Sequence, residues 1–192
     1  MHSNSELEGR IASLEEEIGQ KKKQLATLRK QLPWPEVKDY ALRSHDGTEV
    51  MLSSLFGDQN DLIVIHNMGK GCAYCTLWAD GFNGFVQHLE NRAAFVLVSP
   101  DDHETQKKFA ESRGWKFKML SGRGTSFIRD MGFESGERDF MPGVSTFHRN
   151  NDGKIFRVAK AEFGPGDDYC GIWHLFELLP DGGEKWRPKY SY

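Results

Sequence analysis

Two cysteines, Cys72 and Cys75, stand three positions apart in the stretch DLIVIHNMGKGCAYC, residues 61–75. Thiols at that spacing can pass between a dithiol and a disulfide if the first ionises and the second reaches it. The apolar run Leu62 to Ile65, with Asp61 before it and His66 after it, predicts a strand buried on both faces. A short Gly-rich turn follows, and Cys72 then opens a predicted helix. A cysteine placed there meets unpaired helix N-terminal N–H groups and the positive end of the macrodipole, which stabilise thiolate. Cys75 lies about one turn further on. The chemistry this predicts is attack of Cys72 on a disulfide, followed by resolution of the mixed disulfide by Cys75. Tyr74, between the thiols, is a candidate substrate contact or a cap on the site.

His66 precedes Cys72 by six residues. A histidine there suits a general base taking the Cys75 proton near neutral pH. It equally suits a strand-end histidine satisfied by backbone. Cys72, Cys75 and His66 also make a partial metal set, but structural zinc wants four ligands, usually as two close pairs, and Cys170 has no nearby partner. The third possibility is that the cysteines merely pack. The residues taken forward as catalytic are Cys72, Cys75 and His66, with no metal assigned. Cys170 reads as a small apolar filler, Trp78 as core and Asp80 as surface. The histidines at 2, 45, 88, 103, 148 and 174 form no i,i+4 ligand pair, and the Gly-rich run at 122–126 lacks the Lys-[Ser/Thr] ending of a phosphate loop.

The elements that must position these residues follow from pattern. Residues 4–32 read as a helix whose Leu7, Ile11, Leu14, Ile18, Leu25, Leu28 and Leu32 recur at spacings of four and three, Lys21 filling the polar gap. Two readings stand: a dimerising coiled coil, or an amphipathic helix lying on its own domain. Pro33 and Pro35 stop it. Residues 38–43 and 48–52 read as strands joined at 44–47. The cysteine helix runs to about Glu90, and a buried strand follows at 93–99. A helix capped by Asp101 or Asp102 ends near Arg113, and Trp115 to Met119 alternates as a half-exposed strand. A short helix at 126–131, a hairpin from 144–148 to 155–158 and a last helix at 168–179 complete the order. This predicts an α/β sandwich with a mixed sheet. The divisions are a helix at 1–32, a domain at 33–180 and a polar tail at 181–192.

Length and charge bound the rest. At 192 residues the chain fits one domain with an appendage, and a net charge of −3 argues for neither nucleic acid nor an anionic membrane as partner. No apolar run approaches the roughly 20 residues that span a bilayer, and the N-terminus shows no signal-peptide core. Three cysteines suit a reducing compartment, so the expected location is cytoplasmic. The expected partner is a disulfide or thiol substrate, protein or small molecule, with no cofactor and with a homodimer through the N-terminal helix as an option.

The order strand, Cys-x-x-Cys, helix, strand, helix, hairpin, helix resembles the thioredoxin fold. Residues 98–109, 115–121 and 144–155 resemble the middle and final hairpin of peroxiredoxins and membrane-tethered thioredoxins. Taken together, Leu32-Pro-Trp34, Lys38-Asp-Tyr40, Leu55-Phe-Gly57, the CAYCTLWADG run at 72–81, Gly114-Trp115 and the MPGVSTF run at 141–147 resemble a bacterial thioredoxin-like family, domain of unknown function 899. That resemblance implies a thioredoxin-like three-layer sandwich and thiol chemistry. Ala73-Tyr74 is similar to the intervening pair of glutaredoxins, which also ends in Tyr. Two positions depart from thioredoxins. The buried Asp six residues before the first cysteine is His66 here, and the position of the substrate-facing cis-proline falls at about Val144, which thereby becomes a substrate-contact candidate. Against the peroxiredoxin pattern Pro-x-x-x-Thr-x-x-Cys, Cys75 is the matching cysteine, but Met68 and Cys72 replace Pro and Thr and the matching Arg falls near Val144. Simple peroxidase activity is not expected, whereas a dithiol peroxidase through Cys72 and Cys75 stays open. The rival of a different class is a non-catalytic binding module.

Overall fold

A computed structural model describes residues 3–136 and 139–192. His2 lies outside them. The chain divides into two units, 1–34 and 35–192.

The first unit is one helix, α1 (Asn4–Gln31). Ser3 caps it by accepting the Glu6 amide at 3.2 Å, and the Pro33-Trp-Pro35 run that follows Leu32 cannot continue it. None of its described residues is buried.

In the second unit the strands are β1 (Glu36–Val37), β2 (Ala41–Arg43), β3 (Glu49–Met51), β4 (Asp61–His66), β5 (Ala94–Ser99), β6 (Lys118–Ser121), β7 (Glu134–Ser135), β8 (Asp139–Phe140), β9 (Gly143–Arg149) and β10 (Ile155–Glu162). The helices are α2 (Ala73–Arg92), α3 (His103–Arg113), α4 (Phe127–Asp130) and α5 (Ile172–Glu177), with a 3-10 turn at Leu52–Phe56. Among the described residues, eight strands form one sheet in the order β1-β10-β9-β4-β5-β6-β2-β3, and β7 and β8 pair antiparallel apart from it. The continuously apolar β4 and β5 pair in parallel at its centre, as strands covered on both faces should. β9 runs antiparallel on the other side of β4, placing Val144 opposite Ile65 and Gly143 opposite His66.

Side-chain alternation along these strands sorts the core into two layers. Leu62, Val64, Val96 and Val98 face one layer with Leu52, Phe56, Phe127 and Phe133. Ile65, Phe95 and Leu97 face the other with Trp78, Val86, Ala110 and Trp173. Helices α2, α3 and α5 thus cover one face of the sheet, and the 3-10 turn and α4 cover the opposite face. This is the mixed-sheet, thioredoxin-like sandwich expected.

Several boundaries differ from the pattern reading. The expected strand at 38–43 is shorter, β2 covering only Ala41–Arg43, where it pairs with β3 and β6, and β1 lies just before the expected range and pairs with β10 instead. The alternating run at 115–119 gives way to β6, three residues later. Trp115 stacks on Phe117 at 5.6 Å and meets Phe109 edge-on, so its alternation reflects aromatic packing rather than ladder pairing. The last helix is shorter than expected because Asp167 accepts the amides of Gly164, Tyr169 and Cys170, holding 164–170 as a loop.

Candidate functional site

The site is built where β4 ends. Asn67 continues from it with its amide on the Val98 carbonyl at 2.9 Å. Its side-chain oxygen accepts the Gly69 amide at 2.7 Å, and its side-chain nitrogen donates to the Cys75 carbonyl at 3.4 Å. Gly69 adopts φ +101°, and a Cβ there would lie 2.8 Å from Asp101 Oδ1. Glycine therefore lets the turn close against the loop after β5, where Lys70 donates its amide to Asp101 at 2.7 Å. The sequence pattern identified a Gly-rich turn but not Asn67 or Asp101 as its anchors. Short side-chain acceptors near such a turn were the available signal.

Cys72 is the N-cap of α2, its Sγ accepting the Cys75 amide at 3.1 Å. It is half-buried, whereas Cys75 is buried. The Met68 amide points at Cys75 Sγ at 3.5 Å. The electrostatics of the thiols diverge. Donation from the Cys75 thiol is the main cause that lowers the Cys72 pKa to about 7, and backbone N–H groups of Cys75 and Tyr74 help against the cost of burial. The same hydrogen bond, then burial, then the Cys72 charge push Cys75 far above the ordinary thiol range. One sulfur is poised as thiolate at neutral pH. The other is held as its proton donor.

His66 belongs to different surroundings. It is fully buried, stacked on Phe133 at 4.0 Å and on Phe127 at 5.6 Å. Its Nε2 lies 2.9 Å from Ser145 Oγ, and Nδ1 has no hydrogen-bond partner among the described residues. Burial, with Arg157 and Lys160 nearby, lowers its pKa to about 3. Those partners belong to the layer opposite the one α2 covers. The three residues of the partial metal set are therefore divided, and among the described residues no three His, Cys, Asp or Glu side chains group to hold a metal.

Tyr74 packs against Trp173 and Trp78, with centroids 6.1 and 6.3 Å away. It borders a groove of about 340 Å³ walled by Trp173, Trp186, Glu177 and Glu184. Val144 is half-buried on β9, in the layer that contains Trp78. A second cleft of about 830 Å³ includes Met68, Asp101, Arg123 and Arg129. It gives the Gly-rich run 122–126 the place of a cleft wall. Cys170 is buried in the same layer as Trp78.

Two features escaped sequence reasoning. Asp80 accepts both Arg113 and Trp115 Nε1, the latter at 2.8 Å, and so ties α2 to α3 and the segment after it. Arg113 also donates to the Tyr190 carbonyl at 2.6 Å. The Tyr190 phenol, raised first by burial, lies within electrostatic reach of both Cys72 and Cys75. Nothing in the polar composition of the tail signalled its docking on Arg113.

Comparison with known proteins follows the same line. Residues 7–192 match the sequence family described as "Bacterial protein of unknown function (DUF899)". A chloroplastic peroxiredoxin Q from Suaeda salsa is 25% identical over 127 residues, 66% of this chain, and the chain spans 58% of that relative. The crystal structure of peroxidoxin BcpB from Mycobacterium tuberculosis is similar at 27% identity, covering 64% of this chain and 80% of that one, with a TM-score of 0.53. A peroxiredoxin Q structure from Xanthomonas campestris, 16% identical, covers 70% and 87% with a TM-score of 0.57 and shows the shared fold.

Proposed function

The chain belongs to this bacterial thioredoxin-like family, and from that premise we propose that it is a thiol–disulfide oxidoreductase working through Cys72 and Cys75. The observation that carries the reading is the placement of the two thiols, Cys72 half-buried as the N-cap of α2 with its Sγ accepting the Cys75 amide at 3.1 Å and Cys75 buried behind it, which lowers the pKa of the first thiol and raises that of the second.

Cys72 thiolate attacks a disulfide, one substrate sulfur leaves with the electron pair, and a mixed disulfide forms. That step removes the charge that held the Cys75 proton. Burial alone then opposes ionisation, so Cys75 can transfer its proton to the departing thiolate and attack Cys72 Sγ. The second substrate sulfur leaves, and the protein carries the disulfide. Two electrons have passed to the substrate, and a dithiol donor must return them. His66 has no step in this sequence, because its hydrogen bond goes to Ser145. Tyr74 and Val144 serve as the substrate-side contacts, Tyr74 through the groove it borders.

The names of the peroxiredoxin relatives favour a second reading, peroxide reduction by the same dithiol. The cysteine that matches the peroxidatic position, Cys75, is the buried and protonated one. In that reading too Cys72 makes the attack. Both readings place the protein in a reducing, cytoplasmic setting. We also assign α1 to pairing of two copies, given the apolar seam that Leu7, Ile11, Leu14, Ile18, Leu25, Leu28 and Leu32 draw along the helix.

A redox titration with thiol trapping and mass spectrometry tests the main reading. Two thiols should become reversibly protected in the wild type and not in Cys72→Ser. If no Cys72–Cys75 disulfide forms between about −300 and −150 mV, the range of cellular dithiol couples, the oxidoreductase reading fails. Stoichiometric metal held through those thiols would favour a binding module instead.

A further inference from the structure

Resting on the assignment of α1 to pairing of two copies, we propose that they meet antiparallel, with Ile18 of one copy facing Lys21 of the other. The seam leaves Leu7, Ile11, Leu14, Ile18, Leu25, Leu28 and Leu32 between 43% and 59% exposed. An apolar stripe running the length of a 28-residue helix is a surface that water disfavours. Leu7, Leu14 and Leu28 alternate with Ile11, Ile18 and Leu25 along the stripe, and a second copy presents the same apolar seam. A second copy therefore matches the stripe in length and in apolar character.

Charge decides the orientation. One edge of the stripe carries Glu8 and Glu15 in its first half and Lys22 and Arg29 in its second. Antiparallel pairing sets Glu8 against Arg29 and Glu15 against Lys22 at both ends, and it opposes the two macrodipoles. Parallel pairing also matches charges, Arg10 with Glu15 and Glu17 with Lys22. The flanks alone do not choose. Lys21 does, because it occupies the seam itself. Parallel helices would place both Lys21 side chains in one layer, like charge against like charge. Antiparallel helices set each Lys21 against Ile18 of the other copy, where its aliphatic stem covers the isoleucine and its ammonium stays in water. Glu17, one turn earlier on the same helix, accompanies it there.

The test uses the full chain in sedimentation equilibrium with two charge-reversal variants. One carries Glu8→Lys and Glu15→Lys; the other carries Lys22→Glu and Arg29→Glu. In the antiparallel arrangement each variant alone faces like charges at all four contacts, and its dissociation constant should rise about tenfold or more. Mixing the two should restore wild-type association, since every contact in the mixed pair is then opposite in sign. In a parallel arrangement the mixed pair has two matched and two opposed contacts, as each variant alone does, so mixing gains nothing. A wild-type dimer without recovery on mixing overturns the antiparallel proposal and leaves pairing through α1 intact. A wild-type chain that stays monomeric, or a dimer that neither variant weakens, removes that pairing itself.

Discussion

Cys72 and His66 lie six residues apart at the end of one strand, and the fold gives them opposite surroundings. Cys72 is half-buried at a helix N-terminus, held among backbone N–H groups and a thiol donor. His66 is stacked on two phenylalanine rings, with one hydroxyl to bond and a nitrogen that has no partner among the described residues. The contrast follows from strand alternation. His66 shares parity with Leu62 and Val64, whose layer contains Phe127 and Phe133, whereas the thiol-bearing helix packs on the layer of Ile65. Nearness in sequence to a reactive group is thus poor evidence of contact with it when a sheet stands between.

The largest test of the contrast is at the thiols. Cys72→Ser should lower disulfide exchange by about three orders of magnitude or more, the loss typical of removing a nucleophile. Cys75→Ser should instead accumulate a mixed disulfide on Cys72, visible as an adduct by intact-mass spectrometry. If Cys75→Ser loses activity without any adduct while Cys72→Ser traps one, the roles are reversed.

At His66 the effect should be on stability. Its folded pKa, about 3, lies below the unfolded value near 6.5, so the unfolded chain binds the extra proton. Stability from this group is therefore complete above pH 6.5 and is lost as pH falls toward 3, by up to about 1.4 kcal/mol per pH unit. His66→Leu should flatten that part of the urea-denaturation profile and leave the pH dependence of Cys72 alkylation unchanged. An altered alkylation profile with an unchanged stability profile would return His66 to the chemistry.

How far the sequence could be read depends on the same distinction. The buried strands β4 and β5, the N-capping cysteine and the hairpin of β9 and β10 were legible because each is signalled locally, by hydrophobic period or by turn residues. The pairing of β7 and β8 was not, since two-residue strands carry no period. At the site, the cysteine spacing gave the pair that the structure brings together. The environment of His66 required knowing that Phe127 and Phe133, distant in sequence, close over the end of β4. The docking of the tail depends on Arg113 donating to the Tyr190 carbonyl, a contact across 77 positions.

A smaller effect should separate the thiols from each other. Cys75 is the leading cause of the lowered Cys72 pKa, so Cys75→Ala should move the alkylation midpoint of Cys72 from about 7 back toward the ordinary thiol value. Thiolate reacts, so the rate rises with pH through that midpoint. For a midpoint raised by about one unit, the variant should be slower at pH 7 by about fivefold, the thiolate fraction falling from about one half to about one tenth. Stopped-flow alkylation across pH 5 to 10 measures it. An unmoved midpoint would assign the acidity of Cys72 to the helix terminus alone.

The smallest effect concerns how the thiol side is held. The His66 side rests on packing, while the outer surface of α2 is joined to α3 and the tail through Asp80, Arg113 and the Tyr190 carbonyl. Asp80 and Arg113 are partly exposed, at 36% and 23%, so water screens the pair and little of its Coulomb attraction survives. Asp80→Asn keeps an acceptor for Trp115 and removes the charge facing Arg113. It should cost only about 0.5–1 kcal/mol of global stability. Its clearer consequence is local, because Arg113 is what ties Tyr190 down. Limited proteolysis should release the segment after Pro188 faster in Asp80→Asn than in the wild type. Equal cleavage rates in the two proteins would show that the tail is anchored by its aromatic contact to Phe109 instead.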